Sequence, residues 1–180
     1  SGTTEKGRIR HGPVRKAGVG FTTWHGELKR HEWDRYVGYM DHQRAHGYYP
    51  SFLWKDGERL PLPGNTHADG GKTPEIYGPG ATEKRRGNRD GKVTYAPDAM
   101  LAETLKFMEE NRNRPMFILF STNLPHGPVD IPPAENKYAG HPAIRQAYAG
   151  AAGGNRECAG AAEEYASMVD KLDRQVGAIL

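Results

Sequence analysis

A chain of 180 residues with 36% hydrophobic residues and a formal net charge of +3 is long enough for one domain but poor in core-forming side chains. Its 23 glycines and 13 prolines predict long loops between few regular elements. No run approaches the roughly 18 apolar residues of a membrane span, the N-terminus carries no apolar signal-peptide segment, and the single Cys158 excludes an internal disulfide framework.

The first 31 residues are glycine-rich, with one short strand expected near Val14 to Phe21. The basic tilt of residues 6–35 (Lys6, Arg8, Arg10, Arg15, Lys16, Lys29, Arg30, Arg35) suits an anion, although charges at this density are commonly only solvated. From Trp33 to Trp54 the chain turns to aromatics and histidines, side chains that serve a binding surface or simply pack. His42 and His46 stand four apart, a metal spacing only on a helix, which Gly38, Gly47 and Pro50 disfavour. Residues 55–62 read as a hairpin turning at Asp56-Gly57. Residues 63–92 read as a long exposed loop, basic at 83–92.

A helix is expected from Asp98 to Asn111, with Leu101, Leu105 and Met108 on its packing face. The apolar run Met116 to Phe120 has no alternation and reads as the central strand of a parallel sheet, buried on both faces. Pro125-His126-Gly127-Pro128 then delivers one imidazole beyond the strand's carboxyl end, where open α/β sheets keep ligands. With an unperturbed imidazole titrating near neutrality, His126 suits proton transfer, or equally a turn histidine bonded to backbone. Val129 to Gly154 reads as irregular, and a final helix carries Ala161, Tyr165, Met168, Val169, Leu172, Val176 and Ile179 at steps of three and four. Cys158, among small residues and without an evident base, reads as inert and partly buried. Residues 31–97 are thus mostly loop and hairpin insertion, and 98–180 a helix-strand-loop-helix core.

Several of these segments, in order, resemble the sulfatase family. Trp33-Asp34-Arg35-Tyr36-Val37-Gly38-Tyr39 is similar to the pattern Gly-Phe-Asp-x-Phe-x-Gly-Tyr, and Asp41 to Pro50 with Leu53-Trp54 resembles the run that follows it in arylsulfatase-like proteins. Leu60 to Asn65, Pro115 to Leu119, Leu124-Pro125-His126-Gly127-Pro128 and Met168 to Gly177 continue the resemblance. Upstream, Arg15-Lys16-Ala17-Gly18-Val19-Gly20 is similar to Gly-Lys-Trp-x-Leu-Gly, with Ala17 for tryptophan.

The resemblance implies an α/β fold, a partial alkaline-phosphatase-like sandwich in which helices flank a mixed or parallel sheet with long loops. It implies a sulfuric ester hydrolase in which His126 contacts sulfate and protonates the leaving oxygen as the catalytic residue, with Lys16 and His46 binding substrate. It also implies calcium and formylglycine in the parent family, a sulfated small molecule or glycan as partner, and a periplasmic or secreted address. The chain departs from the family as well. Cys158 is followed by Ala-Gly-Ala-Ala rather than a formylglycine motif, and neither metal-ligand strand is present. The chain therefore reads as a central fragment that supplies neither cofactor and is inactive alone. The alternatives are a noncatalytic carbohydrate- or anion-binding module of sulfatase ancestry and, through the 83–92 loop, a nucleic-acid binder, for which no recognition motif is present.

Overall fold

The computed structural model describes residues 33–40, 44–66, 89–149 and 156–180, together with the backbone of residues 10–16; at 156 and 157 it likewise describes backbone alone. Among the described residues five strands share one sheet: β1 (Arg10–Lys16), β2 (Val37–Tyr39), β3 (Phe52–Lys55), β4 (Glu58–Pro61) and β5 (Met116–Ser121). Among the same residues three helices accompany them, α1 (Ala96–Glu110), α2 (Pro142–Ala149) and α3 (Arg156–Ile179). Single 3₁₀ turns lie at Arg44–His46 and Pro133–Glu135. Among the described residues no helix is long and apolar enough to cross a membrane.

The β3–β4 hairpin follows from its turn chemistry. Asp56 and Gly57 both have positive φ, 51° and 98°, the backbone of a two-residue turn whose twist matches the flanking strands. Asp56 also locks this turn to the preceding segment, since its carboxylate accepts the Tyr36 amide at 2.7 Å and its own amide donates to the Tyr36 carbonyl at 3.0 Å. β2 and β4 then flank β3 in antiparallel register, with Val37 opposite Lys55 and Leu53 opposite Leu60.

The expected alkaline-phosphatase-like sandwich, a mixed or parallel sheet between helices, is corrected here. The strands β2, β3 and β4, which build the core with described side chains, form a small all-antiparallel sheet accompanied by a few helices. β1 and β5 join at the level of backbone pairing, β1 running parallel to both β2 and β5, to give the order β4-β3-β2-β1-β5. Met116 to Phe120 is therefore an edge strand rather than a central one, none of its side chains is fully buried, and Phe117 is 49% exposed beside the Trp33 ring. An unbroken apolar run marks a strand without naming its neighbours, and among the described residues it has a partner on one side only.

One face of the sheet meets α1. Val37, Tyr39, Leu53 and Leu62 pack with Ala45, Ala96 and Met100, and Phe120 closes the cluster from β5. α1 begins with Pro97 in its first turn, where a missing N–H costs no helical bond, and Asp98 faces the positive end of the dipole. Its buried residues are Ala96, Pro97, Met100, Thr104 and Phe107. The packing face is thus rotated by about one residue from the expected Leu101, Leu105 and Met108, because Thr104 enters the core with its hydroxyl donating to the Met100 carbonyl at 2.9 Å.

A second cluster joins Tyr48, Tyr49, Tyr95, Leu124, Val129, Ile131 and Met168, and brings α3 against the loop after β5. α3 is a helix as its periodicity predicts, yet of its apolar stripe only Met168 is fully buried. Tyr165, Val169 and Val176 are exposed, whereas Glu163, Ser167, Lys171 and Gln175 are buried. Ion pairs explain this inversion: Lys171 Nζ donates to both Glu135 carboxylate oxygens and meets Asp98, each at 2.7 Å, and Arg145 forks onto Glu163. Val129 to Gly154, expected to be irregular, holds α2 and the Pro133–Glu135 turn.

Candidate functional site

The carboxyl ends of β1, β2 and β5 lie on one edge of the sheet, with Lys16 paired to Tyr39 and Arg15 to Ser121. Two segments converge on that edge, the 3₁₀ turn at Arg44–His46 and the turn after β5. Tyr48 and Asn123, both buried, tie them together. The Tyr48 hydroxyl donates to the carbonyls of Asn123 at 3.0 Å and His126 at 2.5 Å, and the Asn123 amide nitrogen donates to the Ala45 carbonyl at 3.0 Å. Tyr39 steadies the same segment by donating to the Gly47 carbonyl at 2.6 Å. Hydroxyls and an amide here satisfy backbone carbonyls that the turns leave without secondary-structure partners.

This bracing places His46 against His126, with ring centroids 4.8 Å apart and planes at 81°. The two histidines are 80 positions apart in the chain. The His126 amide donates to the Asn123 carbonyl at 2.8 Å, and its Nδ1 meets the Gly127 carbonyl. Because a carbonyl only accepts, a hydrogen bond at this contact is donated by Nδ1. His126 is itself exposed and lines an open groove of about 380 Å³ with Thr122, Asn123, Leu124, Pro125, Gly127 and, from α3, Tyr165. The Leu124-Pro125 and Gly127-Pro128 bonds are both cis.

Of the residues singled out from the sequence, the structure brings His46 and His126 together. It places the Lys16 backbone at the carboxyl end of β1; the Lys16 side chain, like His42 and the basic segment 83–88, lies outside the described residues. Cys158 is exposed rather than partly buried. Tyr36, Tyr39, Tyr48 and Tyr49 from the aromatic run are buried, so packing rather than ligand contact explains them. Sequence reasoning missed Tyr48 and Asn123 as the residues that present His126, and read Tyr165 as core. The signal for Asn123 was its place just past an apolar strand, with Thr122 between.

Part of the interior is charged. Asp130, fully buried, accepts from Lys92 Nζ at 2.7 Å and Arg89 Nη1 at 2.9 Å, and its backbone carbonyl accepts from the Tyr95 hydroxyl at 2.9 Å. Burial, then the neighbouring Asp130 charge, pushes the Tyr49 phenol well above its ordinary range, and burial does the same to Tyr95. Among the described residues no three His, Cys, Asp or Glu side chains are placed to hold a metal ion, and both Asp130 oxygens are engaged by cations.

No family model matches the chain, and no curated protein matches it. It is similar to a solved structure described as "Crystal structure of Ps i-CgsB", with a TM-score of 0.59 and 20% identity over 96% of this chain and 33% of that one. The chain spans about a third of that protein's length. At this identity the likeness is one of fold.

Proposed function

We propose that the chain carries the imidazole side of a sulfuric ester hydrolase site. The observation that carries this reading is the contact of His46 with His126, 4.8 Å between ring centroids, at the edge where β1 also delivers Lys16. An imidazole on an open groove, with a second imidazole packed against it, suits an oxyanion and an ester oxygen rather than a neutral apolar ligand. In this reading an oxygen nucleophile that the described residues do not supply bonds to sulfur as the ester sulfur–oxygen bond breaks, and Nε2 of protonated His126 gives its proton to the leaving oxygen. His46 faces the sulfate, and Lys16 supplies a point charge to one of its oxygens.

The sulfatase resemblance of Leu124 to Pro128 and of Trp33 to Pro50 supports the sulfate ester over other anions. The nucleophile and a cation for the sulfate oxygens are not among the described residues, and the sequence around Cys158 does not match a formylglycine motif. The chain is accordingly expected to bind a sulfate ester without hydrolysing it. Titration of the purified chain with 4-nitrophenyl sulfate, followed by the imidazole resonances, tests this. His46 and His126 should shift together, the response should vanish in His126→Gln, and no nitrophenolate should be released. Unmoved imidazoles at saturating ester would overturn the proposal, and turnover would overturn its claim of a missing nucleophile.

A further inference from the structure

Tyr165 stands apart from every other residue of the groove. Six of the seven lining residues come from the continuous stretch Thr122 to Gly127; Tyr165 alone reaches in from α3. It is 50% exposed although its helical neighbours Glu164, Ser167 and Met168 are buried, so its ring is not spent on packing. With it the groove is lined by Leu124, Pro125 and Gly127, which offer no charge, and by Thr122, Asn123 and His126, which offer polar groups. A groove of about 380 Å³ sits at the small end of ligand sites, room for a single ring rather than a chain of them.

Resting on the sulfate-ester reading, we infer that Tyr165 is the specificity wall of the site, taking the flat face of a six-membered ring that carries the sulfate. An aromatic ring attracts a flat apolar or C–H face and does little for a free anion. An aryl sulfate and a pyranoside sulfate share that geometry. Methyl sulfate and inorganic sulfate lack it.

Gly127 offers an independent handle. A Cβ added there meets nothing within 4 Å, and its φ lies outside the left-handed region, so a side chain at 127 enters open space on the groove lining without a clash.

The test measures dissociation constants of the full chain for 4-nitrophenyl sulfate, a methyl pyranoside sulfate and inorganic sulfate, with thermal melts as the folding control. Tyr165→Ala should weaken ring-bearing esters about three- to tenfold and leave inorganic sulfate unchanged, while Tyr165→Phe keeps wild-type affinity. Gly127→Val should weaken ring esters alone, by narrowing the groove. Dependence on Tyr165 for both ring esters supports a general ring wall; dependence for only one of them names that ring class.

If Tyr165→Ala changes no ring ester, or weakens inorganic sulfate equally, the inference about Tyr165 falls while the imidazole site stands. If His126→Gln leaves all three ligands unaffected, the sulfate-ester reading falls and takes this inference with it.

Discussion

Replacing Asp130 by alanine should be among the most destabilising single changes available to this protein. Its carboxylate has no exposed surface and balances Lys92, whose side chain is 1% exposed, while Arg89 is about one third exposed. Removing the acid takes away the carboxylate that bonds the buried Lys92 ammonium, and breaking a buried pair from one side costs about 3–5 kcal/mol. Arg89 turns to water and adds little. At about 2–4 °C per kcal/mol for a chain of this size, Asp130→Ala should lower Tm by about 6–20 °C.

Urea unfolding of Asp130→Ala, Lys92→Met and the double variant isolates the cause. The Tyr95 hydroxyl bonds the backbone carbonyl of residue 130, so that contact survives the substitution. The double variant, which removes the stranded charge along with its partner, should recover most of the loss. A loss below about 1 kcal/mol for Asp130→Ala, or a double variant less stable than the single one, would refute the claim that the pair acts by mutual compensation in a dry interior.

Stability should also fall at alkaline pH because of Tyr49 and Tyr95. Burial holds both phenols protonated above the ordinary tyrosine value of 10.0, so the unfolded chain loses these protons first. Their contribution is complete below pH 10 and declines as pH rises from there towards the native values. Tyr49→Phe should therefore flatten the stability profile between about pH 10 and 11.5, and an unchanged slope relative to wild type would contradict the assignment. Two glycines separate conformation from space. Gly64 has φ +80° and a Cβ there would lie 2.7 Å from Val93 Cβ, whereas Gly140, at φ +73°, has nothing within 4 Å. Gly140→Ala should cost about 1–2 kcal/mol, and Gly64→Ala about 1–3 kcal/mol more; equal losses in thermal melts would show that Val93 yields freely.

The elements were more legible than their surroundings. The Asp56-Gly57 turn is local chemistry, and the hairpin stands where it was expected. The run Met116 to Phe120 announced a strand, but its place at the sheet edge depends on β1, a hundred residues earlier. α3 shows the same limit from the other side. Its apolar spacing made it a helix, yet its orientation is set by Lys171 and Glu163 reaching Glu135, Asp98 and Arg145, and an apolar pattern carries no trace of ion pairs made with other elements. His126 could be singled out from its prolines alone. Its contact with His46 could not, because that contact is made by Tyr48 and Asn123 clasping each other's backbone segments, hydrogen bonds between residues 75 to 78 positions apart.

The account stands most directly on those two imidazoles acting as one site. A double-mutant cycle of His46→Gln and His126→Gln, read as the dissociation constant for 4-nitrophenyl sulfate, measures that coupling. Two groups in ring contact on a shared ligand should show an interaction energy of about 0.5–3 kcal/mol, with the double variant losing clearly less than the two single losses added. Strictly additive losses, or no loss from either substitution, would contradict it.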